Sequence, residues 1–113
     1  MKKTFDYLEH THFAATVCDK QGFVLYQNRC ASERDGDVVG KNLFECHNAH
    51  SNKMIRHMMA TGESNTYEVV RNGRRRLVHQ TPWFDTDESA VSGLIELSID
   101  LPDTYPTLNK DIQ

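Results

Sequence analysis

The sequence predicts an α+β domain in which helices cover one face of a single antiparallel sheet. Strand patterns occur in two blocks, a hairpin near the start of the chain and three consecutive strands near its end. A polar stretch with helical patterning separates the two blocks. The 113 residues are enough for one domain with one hydrophobic core.

The first hairpin is predicted from two apolar runs, 13–18 and 23–27, with a tight turn between them. Asp19 suits the first position of that turn and Gly22 the last. Before the hairpin, residues 4–12 predict a short helix with Thr4 as its N-cap. We therefore expect a helical segment over 1–11, a domain over 12–101 and a flexible tail over 102–113.

The middle of the chain predicts helices. Residues 28–36 suit short helical turns, and residues 52–61 suit a longer helix with Ser51 as N-cap and Gly62 as the residue that ends it. Apolar side chains at i, i+1, i+4 and i+5 give this helix one apolar face, made by Met54, Ile55, Met58 and Met59.

The C-terminal half predicts three strands, over 65–70, 75–84 and 91–101. Asn72-Gly73 joins the first two, because this dipeptide suits a two-residue hairpin turn. Residues 85–89 form the loop before the last strand.

Composition limits the function. The net charge of −3 argues against nucleic acid as the main partner. The three cysteines match no disulfide or metal spacing, which predicts reduced thiols and a cytoplasmic location. We find no signal peptide, no apolar run long enough for a membrane and no phosphate-loop, HExxH or G-x-S-x-G motif, so we expect no membrane partner and no enzyme.

Several short motifs, in order, resemble those of the PAS family over residues 12–101. They are the Asp19-x-x-Gly22 turn, Asn28, Val39-Gly40-Lys41, Gly73, Gly93 and the closing Ser98-Ile99-Asp100-Leu101. The segment 45–51 is similar to a Cys-His-Pro-Pro-Lys-Ser segment of PAS domains attached to hemerythrin-like domains, with Asn48-Ala49-His50 in place of Pro-Pro-Lys. The resemblance implies a five-stranded antiparallel sheet with helices over one face, a cavity between them, sensing and often dimerisation. It leaves the cofactor unknown, since flavin, haem, small acids or no ligand all occur.

Cys46, His47 and His50 are the densest cluster of metal-ligating residue types. One helical turn would place His47 and His50 on one face, a line that Met54 and His57 continue. This set suits zinc or haem iron. The alternative is a buried cysteine beside histidines that cap a helix.

Alternation along the strands predicts which side chains face the cavity. In the last strand these are Gly93, Ile95, Leu97 and Ile99; in the strands before it they are Val78, Gln80 and Pro82, and Tyr67 and Val69. Gln80 is polar on an otherwise apolar wall, so it either orients a ligand or bonds to a neighbouring strand. Leu77, Trp83 and Leu94 then face away, where Phe5 and Leu8 of the same or a second chain would cover them.

The sequence thus predicts a sensory module that binds a small ligand or cofactor and forms a homodimer, with a separate signalling protein as a further partner. The predicted ligand-binding residues are His47, His50, Met54, Tyr67 and Gln80. Two alternatives stay open: a haem or metal sensor that uses Cys46, His47 and His50, and an interaction domain with no ligand.

Overall fold

The computed structural model describes residues 5–85 and 90–111, without the side chain of Cys46. In chain order, the elements in these ranges are β1 (Ala14–Asp19), β2 (Val24–Gln27), α1 (Arg29–Asp35), α2 (Leu43–Cys46), α3 (Ala49–Thr61), β3 (Asn65–Arg71), β4 (Arg74–Phe84) and β5 (Val91–Asp100). No helix in the described ranges is long and apolar enough to cross a bilayer. The predicted N-cap Thr4 and residues 86–89 of the predicted loop lie outside the described residues.

The five strands form one antiparallel sheet in the order β2-β1-β5-β4-β3, which confirms the predicted α+β fold. The two sequence blocks meet where β1 pairs with β5 at the centre of the sheet. The α3 helix packs on β4 and β5, and the buried core lies beneath it. That core consists of Cys18, Ile55, Met58 and Leu94, with Leu43, Phe44 and Met59 packed around them.

Both predicted turns are present. The Asp19 carboxylate accepts hydrogen bonds from the backbone N–H groups of Gln21 and Phe23, at 2.9 and 3.0 Å. In the second turn, Asn72 and Gly73 have φ angles of 53° and 75°, the left-handed backbone that a type I′ hairpin requires. Glycine and asparagine tolerate this backbone best, which is why this dipeptide predicted the turn correctly.

The α3 helix starts earlier than the sequence pattern predicted. Asn48 is its N-cap, and the Asn48 side-chain oxygen accepts a hydrogen bond from the N–H of Ser51 at 2.8 Å. The prediction of Ser51 as the cap is therefore wrong, because the helix begins one turn earlier and Ser51 lies in its first turn, where its N–H is bound by the Asn48 cap. Gly62 ends the helix as predicted, with a φ of 78°.

The N-terminal segment does not form the predicted helix. Residues 5–10 form consecutive turns, closed by hydrogen bonds from the N–H of Leu8 to the carbonyl of Phe5 and from Thr11 to Leu8. The Phe5 ring stacks on Tyr26 of β2, with centroids 4.4 Å apart. The segment closes only i→i+3 turns and also bonds to β2, where the Tyr26 hydroxyl donates to the Glu9 carboxylate at 2.9 Å, so its helical pattern does not become a continuous helix.

Asn28 joins that segment to the rest of the fold. Its side chain is fully buried and takes part in five hydrogen bonds. The side-chain oxygen accepts from the N–H groups of Ala15 and Ala31, and the side-chain nitrogen lies 2.9–3.0 Å from oxygens of Leu8, Thr11 and Phe13. One side chain therefore connects β1, the first turn of α1 and the N-terminal segment.

The face assignment of β5 differs from the predicted one. Val78, Gln80 and Pro82 of β4 pair with Ser98, Glu96 and Leu94, so these three β5 residues share the inner face. The prediction that Gly93, Ile95, Leu97 and Ile99 face the cavity is wrong, and so is the outward assignment of Leu94, which is 3% exposed in the core. The prediction assigned the more apolar set of β5 side chains to the inner face. The inner face of β5 is in fact partly polar, because the register with β4 decides which side chains face inwards.

We predict that Asn28→Ala lowers the free energy of unfolding by about 3 kcal/mol, because it leaves several buried backbone groups without partners. The variant Asn28→Asp keeps the two hydrogen bonds that the Asn28 side-chain oxygen accepts. It replaces the donating NH₂ group with a second acceptor oxygen that faces three other oxygens, so we expect a comparable loss of stability. Urea unfolding followed by circular dichroism measures both. Asn109→Ala in the exposed tail is the control and should change stability by less than about 0.5 kcal/mol. Equal stability of Asn28→Ala and the wild type would contradict this role.

Candidate functional site

Two cavities lie between the inner face of the sheet and the helices. The central cavity has a volume of about 380 Å³ and lies between the sheet and the segment from Asp35 to His47. The α3 cavity, of about 350 Å³, lies between α3 and the strands β3 and β4. Volumes of this size are typical of small-molecule sites. The central cavity is walled on the sheet side by Ala14, Thr16, Val24, Gln27, Tyr67, Val69, Arg76, Val78, Glu96 and Ser98.

His47 borders both cavities and also a small void of about 30 Å³ between them. Tyr67 borders the two larger cavities. Glu96 and Leu43 line the central cavity and the small void, and Gln80 lines the small void and the α3 cavity. These shared walls place the three spaces side by side around His47.

All five predicted ligand-binding residues line the α3 cavity: His47, His50, Met54, Tyr67 and Gln80. The structure brings them together even though the sequence separates the first from the last by the whole of α3 and β3. The geometry shows that these five residues share one wall, and their role in binding stays a prediction.

His47 is held by the turn that precedes it. It is the C-cap of α2, and its ring Nδ1 lies 2.9 Å from the carbonyl oxygen of Leu43. Because a carbonyl only accepts hydrogen bonds, Nδ1 carries the proton in this contact and Nε2 of the neutral ring keeps its lone pair. The side chain of Asn52 donates to the carbonyl of Phe44 at 2.7 Å and so ties α3 to the same turn.

The predicted line of ligands along one helix is wrong. His47 precedes α3 and has extended backbone angles, so it does not share a helical face with His50. His57 is exposed and bonds to Glu63 at 3.2 Å, away from the cavities. Among the described side chains no three His, Cys, Asp or Glu groups are close enough to hold a metal, while the side chain of Cys46 lies outside them.

Glu96 is a site residue that the sequence interpretation missed. Its carboxylate Oε1 accepts a hydrogen bond from Nε2 of Gln80 at 2.8 Å, and Oε1 of Gln80 accepts one from Asn65 at 3.4 Å. Gln80 thus bonds to both neighbouring strands, one of the two roles the sequence allowed. The signal that could have found Glu96 is its pairing opposite Gln80, which requires the register of β4 and β5.

The electrostatics of the cavity walls are mixed. Partial burial and, to a smaller extent, the negative charge of Glu96 raise the pKa of Tyr67. Arg76 also borders the central cavity, and its Nε bonds to the Asp100 carboxylate at 3.1 Å. Burial raises the pKa of the Cys18 thiol, beside the small void, to about 11, which makes this cysteine an unreactive core residue.

Comparison with solved structures shows which fold this is. The PAS domain of the histidine kinase ThkA superposes with a TM-score of 0.65 at 16% identity, covering 78% of this chain and 98% of that one. A sensory box histidine kinase from Vibrio cholerae gives a TM-score of 0.66 at 14% identity, over 86% and 88% of the two chains. The chain has the PAS fold. No protein-family model and no curated protein matches the sequence.

A further structure with a similar PAS fold is the Vibrio cholerae protein VqmA, described as bound to DPO. It superposes with a TM-score of 0.69 at 21% identity, over 88% of this chain and 56% of VqmA. Another VqmA structure is described as a dimer of a LuxR-type receptor that binds DNA. At these identities the likeness shows that the PAS fold is shared.

We predict that Glu96→Gln lowers the pKa of Tyr67, because the removed negative charge opposes formation of the phenolate. Since the native pKa is raised above its usual value of 10.0, the stability that Tyr67 contributes is complete below that pH and is lost as the pH rises through the native pKa. Tyrosine ring carbon shifts followed by NMR between pH 8 and about 12 measure the change.

Glu68→Gln is the matched control, since it removes a charge next to Tyr67 in sequence from a side chain that pairs with Arg75 at the surface. It should leave the pKa of Tyr67 nearly unchanged. An equal shift in both variants would show that the Glu96 charge does not act on the Tyr67 phenol.

Proposed function

We propose that this chain is a PAS-type sensory module that binds a small molecule in the central and α3 cavities. The observation that carries the proposal is the pair of cavities, about 380 and 350 Å³, that meet at His47 between the sheet and the helices. The walls combine apolar side chains with many polar ones, among them a histidine, a tyrosine and a carboxylate that can orient a ligand.

The comparison with VqmA supports a bound ligand, because that structurally similar protein is described as bound to DPO. The likeness extends over 56% of VqmA, so its DNA binding is not carried over to this chain. The proposal includes the predicted contacts of His47, His50, Met54, Tyr67 and Gln80. It also keeps the predictions of a cytoplasmic location, no enzyme activity and a separate output protein.

A ligand in this site would act on the connection between α2 and α3. His47 is attached to α2 through Leu43, and Asn52 of α3 bonds to the same turn. A molecule that bonds to His47 therefore favours one arrangement of this turn over others, which shifts a population of conformations in the way signalling requires.

The homodimer predicted from the sequence also belongs to this proposal. Leu77 and Ile99 pair on the outer face of the sheet, where Ile99 is 43% exposed. The N-terminal segment contacts Tyr26 of β2, at the far edge of the same face, and leaves this part of the face to a partner. Exposed apolar sheet surface of this kind favours a partner.

The predicted dimer is tested by sedimentation velocity from 1 to 100 micromolar. We expect a dimer whose dissociation constant rises at least tenfold in Ile99→Asp, since a charge would then be placed in an apolar interface. Val39→Asp, at an exposed apolar position in the segment that lies over the inner face, is the control and should leave the assembly unchanged. A monomer throughout this range would contradict the prediction.

The ligand site is tested by NMR screening of the chain with small aromatic and heterocyclic fragments. We expect shifts that cluster at Met54, Tyr67 and the α2–α3 connection, and binding about tenfold weaker in His47→Ala because one hydrogen bond is lost. His57→Ala is the control, since His57 is a surface histidine of the same region. Shifts spread over the outer face, or no fragment bound at millimolar concentration, would contradict the proposal.

The second candidate function is a haem or metal sensor that uses Cys46, His47 and His50. The Nδ1 contact of His47 favours it, because metal-binding histidines commonly donate their other ring nitrogen to a carbonyl. A Soret band after haem addition, lost in His47→Ala and kept in His57→Ala, would support haem. One zinc per chain by elemental analysis would support a metal site, and a colourless, metal-free protein would contradict both.

A further inference from the structure

A carboxylate occupies the centre of the inner sheet face. Glu96 lies on β5, the middle strand of the five, between Thr16 of β1 and Gln80 of β4. It is partly buried and lines both the central cavity and the small void. The ion pairs within residues 5–85 and 90–111 all use carboxylates other than that of Glu96. Glu96 is therefore a charge at a cavity wall with no basic partner in the described part of the chain.

The neighbouring strands determine how Glu96 is held. Gln80 receives a hydrogen bond from Asn65 on its side-chain oxygen and gives one from its side-chain nitrogen to Oε1 of Glu96. Rotating the Gln80 amide by 180° would bring its oxygen against the carboxylate and its nitrogen against that of Asn65, so the observed orientation is the favourable one. Gln80 acts as a support, and within the described residues Oε2 of Glu96 has no donor from the protein.

We propose that Glu96 is the acceptor that selects the ligand of this cavity, and that the ligand carries an N–H donor, as amines, amidines and N–H heterocycles do. This inference rests on the proposed small-molecule site. A partly desolvated carboxylate favours a ligand that supplies a donor to its free oxygen, and it repels an anion. A small carboxylic acid, one of the ligand types open at the sequence level, is thereby disfavoured.

The basic groups of the cavity do not offset this preference. Arg76 bonds to Asp100, which also receives a hydrogen bond from Arg34 at 2.8 Å. Lys41 is exposed at the rim, where its backbone carbonyl accepts from the N–H of Val24 at 2.9 Å. An acceptor on the far end of a ligand suits Lys41, whereas the centre of the sheet suits a donor.

The test compares matched probes in the wild-type chain by NMR titration. Benzamidine and benzoate have similar size and opposite charge, and indole and benzofuran differ by one N–H group. We expect benzamidine to bind roughly 10-fold to 100-fold more tightly than benzoate, and indole more tightly than benzofuran, because only the donor-bearing probes reach Oε2 of Glu96. This comparison needs no substitution and so does not depend on any variant folding.

The variant Glu96→Gln then tests the residue. The amide oxygen of the substituted side chain keeps the bond from Gln80, which turns its NH₂ group towards the cavity. We expect the preference for benzamidine to disappear and benzoate to become the better probe. Glu68→Gln, an equal charge change on the surface of β3, should keep the wild-type preference.

The outcomes separate this inference from the proposed function. If the probes bind but benzoate matches or exceeds benzamidine, or if Glu96→Gln keeps the wild-type order, then Glu96 does not select the ligand while the small-molecule site stands. If none of the four probes binds at millimolar concentration, both the proposed small-molecule site and the proposed role of Glu96 are contradicted.

Discussion

The arrangement of this fold depends on the hydrogen bonds of the Asn28 side chain. Asn28 follows β2 directly and bonds to β1, to the first turn of α1 and to the N-terminal segment from a fully buried position. An apolar residue of the same size would leave buried backbone donors and acceptors without partners. The direction in which the chain leaves the sheet is thereby determined, and α1 is oriented so that Arg34 reaches Ser98 and Asp100 of β5.

The central cavity exists because polar bonds, and not apolar packing, hold the segment between α1 and α2 over the sheet. Gln27 is 8% exposed; its side chain donates to the carbonyl of Gly36 and accepts from the N–H of Val38, at 3.1 and 2.8 Å. Val24 adds backbone bonds to Gly40 and Lys41. Directional bonds keep a segment at a set distance, whereas apolar side chains would tend to close the space beneath it.

The inner face of β5 divides core from site along a single strand. Leu94 packs in the core with Ile55 and Met58, Glu96 lies at the boundary, and Ser98 lines the central cavity. Stability and the proposed ligand recognition therefore draw on different ends of the same strand. This division permits a charged residue near the centre of the domain, since the dry packing around Met58 does not extend to it.

The sequence alone determined the α+β class, the order of the five strands along the chain, both glycine turns and the end of α3, because periodicity, turn residues and caps act over a few neighbours. It also predicted a site at the segment from Cys46 to Ser51 and at five residues that the structure places along the α3 cavity. Tertiary structure decided the start of α3, the turns that replace the N-terminal helix, and the inner face of β5. Each of these depends on a partner distant in the chain. Glu96 shows the reason most directly: only pairing with Gln80 places its charge in the cavity.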